Sequence, residues 1–157
     1  MKRKSTAIDK VDVNILSLIY KNPGLTYTEI AEKLKTTPVT IHNRIKKMKE
    51  KEVLKEAIII PPKIFGKNVT AFVQVSVAPG QEKNIGESIA KIHEVLEVVT
   101  TTGDFDLLIK IVASDVNELQ QIIMDKIRGL KGVIRTNTIL LLSTLKSELN
   151  YIPRHYL

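Results

Sequence analysis

The chain has 157 residues, of which 43% are hydrophobic, so it can bury the core of one ordinary domain or of two small ones. It contains no cysteine, which excludes disulfide frameworks and thiolate metal sites. No uncharged apolar run is long enough to cross a bilayer, and the first residues lack the apolar run of a signal peptide. We therefore expect a cytoplasmic protein without a membrane partner.

The net charge of +7 is unevenly distributed along the chain. Residues 1–63 hold 14 Lys and Arg against 7 Asp and Glu, whereas residues 64–157 hold 10 of each. A basic N-terminal part joined to a neutral remainder favours binding of a polyanion by the first part. The alternative is that the Lys-rich helices of the first part carry this positive charge only because it keeps them soluble, without binding a polyanion.

Three helix patterns follow one another in residues 1–52. The first follows Asp9, a candidate N-cap, and ends at the Pro-Gly pair of residues 23–24. The second begins at residues 26–29, which have the capping-box pattern of a hydroxyl and a carboxylate three residues apart. A third helix pattern follows after a short turn. This spacing is typical of a helix-turn-helix head, and we assign residues 1–52 to it.

The third helix is predicted from about Pro38 to about Lys51. Its apolar residues Ile41, Ile45 and Met48 form one stripe that can pack on the other two helices. The remaining surface is polar and cationic, as required of a helix that enters the major groove of DNA. The candidate DNA contacts are Thr37 at the helix N-terminus, Pro38, Val39, Thr40, His42 and Asn43 near base edges, and Arg44, Lys46 and Lys47 near phosphates. The alternative is an ordinary amphipathic surface helix with a solvated charged face.

Residues 53–66 are predicted to form a strand and a linker, because residues 53–60 are apolar and β-prone and a Pro-Pro pair follows. Residues 67–157 then alternate strand and helix patterns in the order βαββαβ. This order is typical of a ferredoxin-like α+β domain with an antiparallel sheet and helices on one face. Residues 143–157 are harder to interpret, and fit either an edge strand or a tail that wraps a partner.

Several segments resemble the leucine-responsive/asparagine-regulator family, also called the Lrp/AsnC or feast/famine family. They are residues 8–16, 28–31 and 39–48 in the head, and the Gly-Asp-aromatic-Asp turn of residues 102–108 and the Gly-Val pair of residues 132–133 in the tail. The resemblance extends from about Thr6 to about Leu145. It implies a winged-type helix-turn-helix head and a RAM-type tail. It also implies that the protein is a transcription regulator and not an enzyme, with no catalytic residues, cofactor or metal.

The resemblance also implies partners and a second site. Paired heads would bind pseudo-palindromic double-stranded DNA, and tail sheets would pair two subunits into a homodimer that often assembles into tetramers or octamers. A small effector, usually an amino acid, would bind between the tails of neighbouring dimers. Carried over by position, the effector residues are Thr102, Gly103, Asp104 and Asp106, with Thr136 and Thr138 of the last strand as further candidates. The same turn residues also fit a plain hairpin that Asp106 caps.

Two positions depart from the family pattern. Glu52 stands where the family usually has Gly after the third helix, and because a left-handed cap is harder with Glu, we expect the helix to end differently. Asn43 stands where the family often has a basic residue, which predicts an altered base preference.

Three other functions are alternatives to a DNA-binding regulator. Siroheme decarboxylases share the two-part architecture, but their tetrapyrrole pockets need His and cationic side chains, and His42, His93 and His155 form no constellation in the sequence. An architectural protein that coats DNA without an effector would need only the basic head and the pairing tail. RNA binding by the tail is disfavoured because the tail is neutral and lacks paired aromatic residues on its central strands.

Overall fold

Capping side chains begin all three helices of the head. In the computed structural model, which describes residues 8–147, these helices are α1 (Lys10–Lys21), α2 (Tyr27–Leu34) and α3 (Pro38–Glu50). Asp9, Thr26 and Thr37 each accept a hydrogen bond from the backbone amide three residues on, and Asp9 and Thr26 take part in reciprocal capping boxes. The predicted helix starts are confirmed. The helices begin at these positions because the short polar side chains satisfy backbone amides that the helix leaves unpaired.

The described residues divide into two compact units, the head up to Ile58 and the tail from Ile59 to Lys146. The head buries one apolar side of each helix. This core consists of Ile15, Ile30, Ala31, Ile41, Ile45 and Met48. The three residues from α3 recur at helical spacing, so they lie on one side of the helix and leave its other sides exposed.

The end of α3 differs from the expectation drawn from Glu52. Glu52 adopts the left-handed conformation with φ of 56°, so the family's type of helix end is kept without glycine. The amide of Val53 donates to the carbonyl oxygen of Met48 at 2.9 Å, and the amide of Glu52 donates to that of Lys49 at 3.0 Å. Val53 and Leu54 then pack against the head core. These contacts outweigh the cost of about 1–2 kcal/mol for a non-glycine residue in this conformation.

The strand predicted over residues 53–60 is not formed, and this prediction was wrong. Residues 55–61 have no regular structure, and a short 3₁₀ helix, Pro62–Phe65, follows them. Ile58 is 92% exposed and Ile59 68% exposed. A β-prone segment becomes a strand only beside a hydrogen-bonding neighbour, and none lies alongside it in the described part of this chain.

The tail is a four-stranded antiparallel sheet in the order β2-β3-β1-β4. The strands are β1 (Val69–Val77), β2 (Val95–Thr100), β3 (Leu107–Ala113) and β4 (Val133–Leu140). The helices are α4 (Glu82–Ile89) and α5 (Val116–Gln121), which continues as a π-helix over Ile122–Arg128. This is the predicted βαββαβ order, so the α+β ferredoxin-like fold is confirmed.

Both helical segments cover the same face of the sheet. Alternate residues of the central strands β1 and β3 point into the core with Ile85 and Ile89 of α4 and Leu119, Ile122, Ile123 and Ile127 of the second helical segment. The intervening strand residues, such as Phe72 and Leu108, therefore lie on the other face, which we call the open face. No described helix covers it.

Candidate DNA interface and effector site

The outer face of α3 is the surface opposite Ile41, Ile45 and Met48. Helical spacing places Val39, Asn43, Lys46 and Lys47 on it, and all four side chains are exposed. The buried stripe holds the helix against α1 and α2, so this face is presented on a rigid support. Two lysines, an amide and a small apolar group are side chains that bind phosphates and base edges.

The first turn of α3 is organised by two threonines. The Thr37 hydroxyl accepts the Thr40 amide at 3.2 Å, and the two hydroxyl groups lie 2.9 Å apart. Pro38 occupies the first helical position, where its missing amide proton would have had no partner in the helix. Thr37 and Thr40 therefore shape the helix N-terminus, a feature that favours an anion beside it.

His42 lies to one side of the outer face, against α2. Its ring meets the ring of Tyr27 edge-on, with centroids 5.5 Å apart. Tyr27 was not predicted as a site residue. It begins α2 and is 39% exposed beside α3. In the sequence, Tyr27 is marked only as an aromatic residue directly after the N-cap residue Thr26.

Arg44 binds two carboxylates at the start of α1. Its Nη1 donates to Asp9 Oδ2 at 2.7 Å and to Asp12 Oδ1 at 2.8 Å, and its side chain is 31% exposed. The bond from Arg44 lowers the pKa of Asp9, and the bonds to Asp9 and Asp12 raise the pKa of Arg44. The guanidinium was predicted near phosphates, but in the head it also joins α3 to α1.

The turn between β2 and β3 carries the first group of predicted effector residues. Gly103 has φ of 123°, a conformation that side-chain-bearing residues rarely adopt. The backbone carbonyl of Asp104 accepts hydrogen bonds from Ser76 Oγ at 3.2 Å and Arg135 Nη2 at 3.3 Å, while the Arg135 guanidinium lies 4.4 Å from the Phe105 ring centroid. Thr102, Gly103 and Asp104 are exposed on this fixed turn.

Asp106 has a clear role in the fold. Its Oδ2 accepts the backbone amide of Val77 at 2.8 Å, at the point where the register of β1 against β4 shifts between Ser76 and Val77. A β-bulge leaves an amide without its ladder partner, and the carboxylate satisfies it. Any ligand contact by Asp106 would have to share this carboxylate.

Thr136 and Thr138 lie apart from the turn, on the helix-covered face of β4. They pair with Val75 and Val73 of β1 and line a groove of about 340 Å³ between β4 and the second helical segment. The other lining residues are Val116, Leu119, Gln120, Ile123, Met124, Arg128 and Leu140. Within one subunit, the predicted effector residues therefore form two groups, the exposed turn and this groove.

Family models match both units of the chain. Residues 8–55 match a model described as winged helix-turn-helix DNA-binding, and residues 70–151 match one described as the Lrp/AsnC ligand binding domain. The HTH-type transcriptional regulator FL11 of Pyrococcus horikoshii is 33% identical over 140 residues, which are 88% of this chain and 92% of that protein. The chain belongs to the Lrp/AsnC family of transcriptional regulators.

Solved structures share the fold of this chain. The structure of Escherichia coli AsnC matches with a TM-score of 0.85 and 27% identity, covering 90% of this chain and 97% of that one. A Neisseria meningitidis transcriptional regulator, solved in complex with L-Met, has the same fold, with a TM-score of 0.84 at 24% identity over 96% of this chain and all of that one.

The two described histidines of this Lrp/AsnC regulator lie in different units of the chain. His42 belongs to the head and His93 to the tail, while His155 lies outside the described residues. Over residues 8–147, no group of three or more His, Asp or Glu is arranged to hold a metal ion. In the same part of the chain, no helix has the length and apolar character needed to cross a membrane.

Proposed function

We propose that this regulator binds pseudo-palindromic double-stranded DNA as a homodimer, and that a small effector bound by the tails changes its DNA affinity. The proposal of DNA binding is supported by the outer face of α3, which is exposed, polar and cationic and lies opposite the buried apolar stripe. One α3 from each subunit would enter successive major grooves. We propose that the protein works in the cytoplasm, beside the DNA that it regulates.

Replacing Lys46 or Lys47 by Ala is expected to weaken binding similarly on every DNA sequence. Each lost phosphate contact should reduce the slope of log affinity against log salt by about 0.9. Asn43→Ala should instead reduce the preference for the selected site by about 1–3 kcal/mol and leave the salt slope unchanged. Binding titrations at several salt concentrations, on a site selected from genomic fragments and on a random duplex, measure both quantities.

Lys83→Ala is the charge-matched control for these variants, because Lys83 is an exposed lysine on α4 in the tail. It should bind both duplexes with the wild-type salt slope. The division of roles fails if Lys46→Ala, Lys47→Ala and Asn43→Ala all lose affinity and selectivity in the same way.

The open face of the tail sheet supports the homodimer. One apolar side chain from each strand forms a diagonal across it, in the strand order Val99, Leu108, Phe72 and Ile139. Val99 is 39% and Ile139 45% exposed in the single chain. Polar pairs flank the diagonal, and one of them, Gln74 with Asn137, is hydrogen-bonded at 2.7 Å.

A second copy of the same face is the occupant that we propose for this diagonal. An isologous contact places each apolar residue against the partner's equivalent surface, so both copies bury their stripes together. The dimer would also carry two heads, which a pseudo-palindromic DNA site requires. Further assembly into tetramers or octamers would bring the turns and grooves of neighbouring dimers together.

We propose an amino acid with an apolar side chain as the effector. Five apolar residues dominate the lining of the groove, while Arg128, Thr136 and Thr138 supply a cation and two hydroxyl groups. The L-Met bound to the Neisseria meningitidis regulator has such a side chain. The exposed Asp104 carboxylate and the turn amides of a neighbouring dimer would complete the site by binding the ammonium and carboxylate groups of the amino acid.

Calorimetric titration with a panel of amino acids tests the effector. Leucine, isoleucine or methionine should bind, while aspartate and lysine should not, because the groove offers their charged side chains mainly apolar surface. Asp104→Ala should weaken this binding without lowering tail stability, since its side chain makes no described hydrogen bond. Asp106→Ala is the contrasting variant, expected to destabilise the tail by about 1–3 kcal/mol through the unpaired Val77 amide. Unchanged effector binding and oligomer size in Asp104→Ala would refute the site.

A further inference from the structure

Val39 is the one apolar side chain on the outer face of α3 as defined above. It is 67% exposed, does not belong to the head core, and lies at the second position of the helix. Single exposed valines are ordinary on protein surfaces. On a helix that enters the major groove, however, the N-terminal residues of the outer face are those that reach base edges.

The first turn of α3 has few groups that can read a hydrogen-bonding pattern. Pro38 has no amide proton, and the hydroxyl groups of Thr37 and Thr40 already face each other at 2.9 Å. Val39 cannot make a hydrogen bond through its side chain. The one apolar group that a base pair presents in the major groove is the C5-methyl of thymine.

Asn43 lies one helical turn beyond Val39 on the same face. Side chains four residues apart in a helix lie about 5–6 Å apart at Cβ, which lets the two reach neighbouring base pairs. An Asn side chain can pair bidentately with adenine through N6 and N7. The two residues together therefore suit a step that contains thymine and adenine.

We propose that Val39 determines specificity for a thymine in each half-site by packing against its 5-methyl group, beside an adenine read by Asn43. The proposal rests on the proposed DNA binding through α3 and adds the base that this residue recognises. The β-branched side chain is restricted to essentially one χ1 rotamer in a helix, so little freedom is lost when it packs against a methyl group.

Uracil substitution tests this contact, because uracil lacks the methyl group but keeps the pairing edge of thymine. Each thymine of a selected DNA site is replaced in turn, and the affinity of the full chain is measured. For the wild-type protein, one position in each half-site should show a loss of about four-fold, the value for about 0.8 kcal/mol per buried methyl-sized group. The Val39→Ser variant should bind thymine and uracil duplexes equally at that position.

Val11→Ser is the matched control, since Val11 is a second exposed valine, 38% exposed, on α1. It should keep the four-fold thymine preference. The salt slope of Val39→Ser should equal that of the wild type, because no phosphate contact is removed. Helix content measured by circular dichroism should also be unchanged, because Val39 is outside the core.

Two results would overturn the role of Val39. One is a wild-type protein whose affinity is the same for thymine and uracil at every position, and the other is a Val39→Ser variant that keeps the full thymine preference. Both leave DNA binding itself intact. Failure of the wild-type protein to bind any unmodified duplex at low salt would instead overturn the proposed function, and the role of Val39 with it.

Discussion

Leu108→Glu is expected to convert the proposed tail dimer into monomers that remain folded. Leu108 lies in the middle of the apolar diagonal on the open face, between Val99 on β2 and Phe72 on β1. In the dimer, two copies of an unpaired carboxylate would be buried in one isologous contact, at a cost of at least about 3 kcal/mol. The dissociation constant should therefore rise by at least about 100-fold, which sedimentation velocity or light scattering measures.

The monomer of this variant should keep its circular dichroism spectrum, because its new carboxylate can reach water on the uncovered face. Asn84→Glu introduces the same charge on the exposed side of α4 and should leave the dimer unchanged. A Leu108→Glu protein that stays dimeric would place the subunit contact elsewhere. Loss of the dimer should also lower affinity for a pseudo-palindromic site far more than affinity for a half-site, since two linked heads bind together.

Gly132→Ala is expected to lower the free energy of unfolding of the tail by about 2–5 kcal/mol. Gly132 has φ of 105°, which costs an L-residue about 1–2 kcal/mol. A Cβ at this position would also lie 3.0 Å from Cδ1 of the buried Ile85. Pushing a packed side chain aside adds about 1–3 kcal/mol. Urea unfolding of the full chain, followed by circular dichroism, measures the change.

Gly80→Ala separates the two contributions. Gly80 has φ of 80°, but a Cβ there would meet nothing within 4 Å. This variant should lose only the conformational part, about 1–2 kcal/mol. Equal losses in Gly80→Ala and Gly132→Ala would show that Ile85 accommodates the extra methyl group and that the steric argument is wrong.

Features that depend on near neighbours in the chain could be predicted from the sequence. The N-caps of α1, α2 and α3 involve partners three residues away, and the stripe of Ile41, Ile45 and Met48 repeats with the helical period. The alternation of buried and exposed residues along β1 likewise follows from the strand period. For the same reason, the outer face of α3 could be proposed before the structure was known.

Features that depend on distant partners could not be predicted in this way. The bonds from Arg44 to Asp9 and Asp12 span 35 and 32 residues, and the bond from the Val77 amide to the Asp106 carboxylate spans 29. The strand predicted at residues 53–60 failed on the same ground, because β-propensity does not supply a pairing neighbour. Glu52 shows the opposite case, in which packing of the following residues overrides an unfavourable local conformation.

Local sequence patterns were enough to predict where the head helices begin, which sides of the helices and strands are apolar, and that the excess positive charge lies in the head. Those properties arise from capping, periodicity and composition, which act over a few residues. Long-range packing, in contrast, brings Arg44 to α1 and Asp106 to a bulge amide, and it places Thr136 and Thr138 along a groove away from the turn. Such roles depend on which side chains the packing of whole elements brings within hydrogen-bonding distance, and no local pattern encodes that distance.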